Sequence, residues 1–129
     1  MKQRIGTLAL LVPNYDQAIS YYTEKLGFEL IEDTKLTETK RWVLVAPKGS
    51  SETRILLAEP DGPDQQKAIG NQTGGRVFLF LNTDDFDRDH AAMLAAGVIF
   101  LEEPRTEPYG KVAVFEDLFG NKWDLIESF

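Results

Sequence analysis

One sequence pattern occurs twice in this chain of 129 residues. Residues 16–30 and residues 87–101 each begin with an aspartate, run through a helical pattern to a glycine, and continue into a new apolar stretch. The two copies start 87 − 16 = 71 residues apart, which is slightly more than half of the chain. A repeated supersecondary unit predicts two similar modules, and small-molecule pockets often form where such units meet.

Composition and charge limit the partners that we expect. The net charge of −7 arises from 21 acidic and 14 basic residues, without a run of Lys and Arg. Such a chain repels phosphate backbones and anionic lipids, so we expect neither nucleic acid nor a membrane as a partner. The chain has no cysteine, which excludes disulfides, thiolate metal ligands and a cysteine nucleophile. Because the apolar run 8–12 is too short for a signal peptide core or a membrane span, we expect a cytoplasmic location.

Each copy of the pattern predicts the element order β-α-β-β-β. The first module is expected to contain four strands, at 5–12, 28–34, 42–46 and 54–59. The second module is expected to contain four more strands, at 77–81, 98–101, 111–115 and 122–127. The first helix is expected to end at Gly27, and the second is expected over 84–96. Eight short strands and two helices predict an α+β fold.

The region between the modules predicts a linker. Residues 60–75 contain two proline and four glycine residues and show no hydrophobic period. We therefore expect one domain with module one at about 4–59, this linker, and module two at about 76–129. A linker of this length is compatible with a lid over a pocket and equally with a plain tether.

Spaced motifs along the chain resemble a known family. The pattern Val-x-Asn-x-Asp-x-Ala-Ile-x-Tyr-Tyr-x-x-x-Leu-Gly-Phe over residues 12–28 resembles the first-module signature of the vicinal oxygen chelate superfamily. That superfamily includes glyoxalase I, extradiol dioxygenases, fosfomycin resistance enzymes and bleomycin resistance proteins. In the second half, the same order is followed by Asp84-Asp85-Phe86, Ala95-Ala-Gly97-Val98, Tyr109-Gly110 and Phe115-x-Asp117-x-x-Gly120-Asn121-x-x-Asp124-Leu125. The resemblance implies two tandem βαβββ modules whose curled mixed sheets surround a cavity, usually completed in a homodimer.

The resemblance also implies where a divalent metal would bind in catalytic members, which use His and Glu ligands. The four corresponding positions are Thr7, Leu56, Phe78 and Asp124. Only Asp124 offers a ligand for a hard metal, and one carboxylate does not hold a transition metal against water. We therefore expect no metal and no other cofactor. A shift of register by one residue would instead turn Glu59 or Glu127 inward and revive a metal site.

Alternation along the strands predicts which other side chains line the cavity. The expected ligand-binding residues are Thr7, Trp42, Arg54, Leu56, Arg76, Phe78, Phe80, Asn82 and Tyr109. This mainly apolar and aromatic lining suits a planar or amphipathic organic molecule, although aromatic residues are equally typical of a core and arginines of solvated strand ends. Asp124 is the candidate catalytic residue, as a base. The single histidine, His90, lies on the second helix, where a structural role is favoured.

Three functions are compatible with these residues. The first is a metal-independent protein, similar to bleomycin resistance proteins, that binds a small organic molecule stoichiometrically. The second is a metal-dependent lyase or dioxygenase of the glyoxalase type, which requires a bound divalent ion. The third is a non-catalytic module whose cavity is filled by its own side chains. A symmetric homodimer is expected under all three, because the exposed strand edges invite pairing with a second copy.

Overall fold

The computed structural model describes residues 2–129, which divide into two compact units with the boundary between Ile69 and Gly70. The described part of the first unit contains four strands, β1 (Thr7–Leu11), β2 (Glu29–Lys35), β3 (Arg41–Ala46) and β4 (Arg54–Ala58). Its helices are α1 (Tyr15–Ser20), which continues as a π-helical turn over Tyr21–Lys25, and α2 (Pro63–Ala68). The sheet has the order β1-β4-β3-β2, and the β1-β4 pair is parallel. The expected β-α-β-β-β order is therefore present in this unit.

The second unit repeats this topology. Its strands are β5 (Val77–Asn82), β6 (Ile99–Phe100), β7 (Arg105–Glu107), β8 (Gly110–Glu116) and β9 (Lys122–Ser128). Helix α3 (Phe86–Ala95) follows β5. The sheet has the order β5-β9-β8-β6, with β5 and β9 parallel, and β7 also pairs with β8. The predicted α+β fold of two βαβββ modules is confirmed.

In the first unit, one face of the sheet packs under α1. Along β4, Ile55 and Leu57 are buried while their neighbours are half-buried, as expected for a strand with one covered face. The buried residues of α1 and its π-helical turn include Ala18 and Tyr22, and α1 contacts β3 and β4. Gly27 then takes a φ of +73°, which confirms the predicted left-handed end of this helix.

In the second unit, a row of aromatic rings forms the core between α3 and the sheet. Adjacent ring centroids lie 4.5 to 5.7 Å apart along Phe86, His90, Phe100, Phe115 and Trp123. His90 stacks on Phe86 and meets Phe100 edge-on, so its ring serves packing. The sequence-based expectation of a structural His90 agrees with these contacts.

In both modules, two side chains accept hydrogen bonds from backbone N–H groups at the start of the helix. Asn14 and Asp85 cap α1 and α3 through side-chain oxygens that accept bonds from backbone N–H groups. A carboxylate from the end of the module then adds a second bond. Glu59 Oε2 accepts from Tyr15 N at 3.0 Å, and Glu127 Oε1 accepts from Phe86 N at 2.6 Å. Both glutamates therefore serve a helix N-terminus, and the alternative register that would offer them as metal ligands is wrong.

We expect Glu127→Ala to lower the free energy of unfolding by about 1 to 2 kcal/mol, because the backbone N–H of Phe86 loses a charged acceptor at a helix start. Urea unfolding followed by far-UV circular dichroism measures this loss. Glu127→Gln keeps an acceptor oxygen and should lose less than half as much. Equal losses in the two variants would show that the hydrogen bond is not the cause.

Two elements were not predicted from the sequence. Strand β7 reads Arg105-Thr-Glu107 and has no apolar residue, so its strand state comes from backbone pairing with β8. Helix α2 lies within residues 60–75, which the sequence predicts as structureless. Pro63 stands at its first position and Asp64 in its first turn, which suits a helix start, but six residues are too few to show a period. A role of this segment as lid or tether stays a prediction.

Candidate functional site

Each sheet has a second face, opposite to its helix, on which most side chains are exposed or half-buried and two, Leu44 and Val112, are buried. In the first unit this face, the first open face, comprises Thr7, Ala9, Trp42, Leu44, Arg54 and Leu56. In the second unit the second open face comprises Phe80, Asn82, Arg105, Val112, Val114, Asp124 and Ile126. Strand register places these residues together, because directly paired residues of neighbouring strands point to the same side.

The first open face combines an aromatic ring with an unpaired donor. Trp42 is 38% exposed, which is unusual for so large an apolar side chain in a central strand. Arg54 is paired with Thr7 in the parallel ladder, and its backbone N–H donates to Gly6 O at 2.9 Å. Its side-chain Nε is buried without a hydrogen-bond partner among residues 2–129. A buried donor of this kind is satisfied by an acceptor from a ligand or from water.

The second open face is centred on Asp124. In the register of the sheet, Asp124 of β9 lies between Phe80 of β5 and Val114 of β8. Phe80 is 62% exposed, so the ring beside the carboxylate is accessible. Asn82 lies one pair further along, next to Ile126. An apolar surface therefore surrounds one carboxylate, an arrangement that is typical of organic ligand sites.

Nearby positive charge offsets the burial of the Asp124 carboxylate only in part. Its Oδ1 is buried and makes no hydrogen bond within residues 2–129. Burial raises the pKa of Asp124, the positive charge of Arg105 partly opposes this rise, and the negative charge of Glu102 adds to it. Because its pKa is raised on folding, the ionised carboxylate costs stability above that pKa, and the cost is relieved as the pH falls through it. The open face thus keeps a strong acceptor without a donor.

A charge cluster at the edge strand supports this face and was missed in the sequence. Arg105 Nε donates to Glu102 at 2.5 Å, and its NH1 donates to Glu107 at 2.9 Å. These two carboxylates, followed by the Tyr109 hydroxyl, raise the pKa of Arg105 above its usual value. The alternation Arg105-x-Glu107 places opposite charges on one strand face, and this signal could have revealed the cluster.

The predicted ligand-binding residues fall into three groups. Within the first unit, Thr7, Trp42, Arg54 and Leu56 share the first open face. Within the second unit, Phe80 and Asn82 share the second open face with Asp124. Phe78 lies half-buried at a β-bulge between Val77 and Leu79, and Tyr109 lies exposed between β7 and β8. The roles of these residues in binding or catalysis stay predictions.

Arg76 was predicted to share a strand face with Phe78, but it is not part of strand β5, so the alternation of side chains along the strand does not apply to it. Strand β5 begins at Val77, so Arg76 precedes the strand and is exposed. Its carbonyl accepts a bond from the Thr73 hydroxyl at 2.6 Å, which belongs to the turn before the strand. Ile5 is likewise outside β1, which begins at Thr7. The first predicted strand, 5–12, was too long at its N-terminal end, because an apolar residue beside a turn does not reveal where pairing starts. The strand predicted at 77–81 does begin at Val77, and only the alternation was carried one residue too far, to Arg76.

The residues at the four family metal positions do not fit a divalent ion. Leu56 and Phe78 have no donor atoms in their side chains, and Thr7 offers a neutral hydroxyl. Among residues 2–129, no three His, Asp or Glu side chains are grouped as a metal site would require.

Solved structures share this architecture over nearly the whole chain. UcmS2 is 30% identical and superposes with a TM-score of 0.85, covering 98% of both chains. TnmS3, described as an antibiotic binding protein from Streptomyces sp. CB03234, is 29% identical with a TM-score of 0.79 and covers 99% of this chain and 98% of its own.

Within residues 2–129, no helix is long and apolar enough to cross a membrane.

Sequence comparison agrees with these structures. An uncharacterized protein of Shewanella frigidimarina (strain NCIMB 400) is 56% identical over 128 residues, which are 98% of this chain and 95% of that protein. The family model described as Glyoxalase/Bleomycin resistance protein/Dioxygenase superfamily matches residues 4–125. The chain therefore belongs to the glyoxalase/bleomycin resistance protein/dioxygenase superfamily.

Proposed function

We propose that this protein binds a small organic molecule stoichiometrically and without a metal, as a binding member of its superfamily. The observation that carries this proposal is the set Thr7, Leu56, Phe78 and Asp124 at the positions where catalytic relatives hold their metal. Two of these four side chains are hydrocarbon, and hydrocarbon at such positions favours burial of an apolar ligand over coordination of an ion.

The open faces provide the contacts that such a ligand requires. Trp42 on the first open face and Phe80 on the second are large, exposed aromatic side chains. Flat aromatic surfaces next to a few polar atoms favour planar or amphipathic organic molecules. Arg54 Nε and Asp124 Oδ1 have no hydrogen-bond partner among the described residues, so each open face carries one half-buried polar side chain with unused hydrogen-bonding capacity.

Relatives support the chemical class of the ligand. TnmS3 is described as an antibiotic binding protein, and it matches this chain over almost its full length. We therefore propose an antibiotic-like organic molecule with an aromatic body as the ligand, bound in the cavity that the resemblance predicts. A symmetric homodimer and a cytoplasmic location belong to the same proposal.

Isothermal titration calorimetry against a panel of aromatic natural products tests the proposal. We expect at least one compound to bind with one molecule per subunit, with an affinity that does not change after dialysis against EDTA. Failure of every compound to bind above background would contradict the proposal. One transition metal per subunit in elemental analysis of the purified protein would instead support the enzyme alternative.

We expect Trp42→Ala to weaken the binding of such a compound by about tenfold, because a large aromatic contact is lost. The matched control is Leu36→Ala, which removes another exposed apolar side chain outside the first open face. Calorimetry with both variants separates a specific contact from a general loss of apolar surface. Equal affinity of Trp42→Ala and the parent protein would place the ligand elsewhere.

A further inference from the structure

We propose that Asp124 is the direct acceptor for a positively charged donor of the ligand, so that the second open face selects aromatic compounds that carry an ammonium group. This inference rests on the proposed function and adds the chemical class of the ligand. It assigns to the carboxylate at the fourth family metal position a role in contacting the organic molecule itself.

Hydrogen bonding at the Asp124 carboxylate is incomplete. Asp124 Oδ1 is buried, yet it has no donor among residues 2–129. A buried carboxylate oxygen without a donor is costly, and a ligand that brings a donor removes that cost. Neighbouring side chains do not supply it, because Phe80 and Val114 flank Asp124 in the sheet and both are hydrocarbon.

The charges around Asp124 favour a cation. The guanidinium of Arg105 is already engaged by two carboxylates, Glu102 at 2.5 Å and Glu107 at 2.9 Å. Asp124 adds a third carboxylate to this neighbourhood, so three negative charges face one positive charge. An incoming cation is attracted by this excess, whereas an anion is repelled. A neutral hydrogen-bond donor should therefore bind more weakly than a cation and more strongly than an anion.

The surface next to Asp124 suits an aromatic ligand body. Phe80 is 62% exposed and is paired with Asp124 across the β5-β9 ladder. Directly paired residues on one sheet face lie about 5 Å apart, which places an aromatic ring beside the carboxylate. An aromatic ligand body can pack on this ring while a cationic substituent one carbon away reaches Asp124.

Three probes with the same ring system test the inference: 2-naphthylmethylamine, which is an ammonium at pH 7, 2-naphthylmethanol and 2-naphthoate. Titrations of ¹⁵N-labelled full-length protein followed by NMR give each dissociation constant. We expect the ammonium to bind about tenfold more tightly than the alcohol, and the carboxylate to bind most weakly. We expect Asp124→Asn, which keeps the size of the side chain, to weaken the ammonium about tenfold while changing the alcohol by less than about twofold.

The matched control is Asp87→Asn, which removes one negative charge from an exposed position on α3, outside the second open face. It should leave all three constants within about twofold, because exposed charges are screened by solvent and salt. Equal binding of the three probes to the parent protein, or the same order in Asp124→Asn, would overturn the inference while the panel result for the proposed function still stood. Absence of binding by all three probes would overturn it too. A negative natural-product panel is a separate result and counts against the proposed function.

Discussion

Replacing Gly70 by alanine is expected to destabilise the protein by about 2 to 4 kcal/mol, the sum of a positive-φ cost of about 1 to 2 kcal/mol and an overpacking cost of similar size. Gly70 has a φ of +74°, which side chains rarely adopt. A Cβ at this position would lie 2.0 Å from Phe119 O and 3.0 Å from Phe119 C. The contact is with backbone, so no side-chain rotation relieves it.

The turn that Gly70 touches is held firmly. Asp117 Oδ1 accepts bonds from Phe119 N and Asn121 N, both at 2.9 Å, and Asp117 is only 4% exposed. Asn121 donates a further bond from its side chain to Asp117 Oδ2 at 2.9 Å. Movement of Phe119 away from an added methyl group would therefore break buried hydrogen bonds, and we expect the cost to appear as lost stability.

Gly74→Ala is the matched control for Gly70→Ala. Gly74 lies in the same segment and has a φ of +67°, but an added Cβ would meet nothing within 4 Å. We expect it to lose only the conformational part, about 1 to 2 kcal/mol. Chemical denaturation of both variants measures the difference. Equal losses would mean that the close approach to Phe119 carries no energy and that backbone conformation alone selects glycine here.

The sequence was sufficient for the fold because its strongest signals were long and repeated. Apolar periodicity, the helix starts and Gly27 all indicated βαβββ modules, and the structure agrees with them. Short polar elements gave no comparable signal. Strand β7 depends on pairing with β8, and α2 depends on Pro63 and a single turn of polar residues. Elements stabilised by their neighbours leave little trace in their own composition.

The candidate site was only partly predictable for a related reason. Alternation placed Leu56, Arg54 and Trp42 on one face correctly, because a strand fixes side-chain direction. The approach of Arg105 to Glu102 depends on the turn before β7, which the sequence did not reveal. The pKa shift of Asp124 depends on burial and on those neighbouring charges. Such properties arise from tertiary placement, which no local pattern encodes.

Phe115→Ala is expected to lower the free energy of unfolding by about 3 to 5 kcal/mol, the usual range for deleting a fully buried aromatic ring. Phe115 is 0% exposed and lies within the aromatic row, with its ring 5.6 Å from Phe100 and 5.7 Å from Trp123. On β8 it is also paired with Trp123 of β9, the strand that carries Asp124. Its removal leaves a cavity behind the strand that carries Asp124.

Phe115→Leu separates the cavity from the loss of aromatic contacts. Leucine keeps most of the buried volume, so we expect a loss of about 1 to 1.5 kcal/mol, mainly from the two ring contacts. Thermal and urea unfolding, with near-UV circular dichroism to follow the packing of Trp123, measure both variants. A loss below about 1 kcal/mol in Phe115→Ala would mean that the sheet collapses onto the vacated space and that the aromatic row is not rigidly packed.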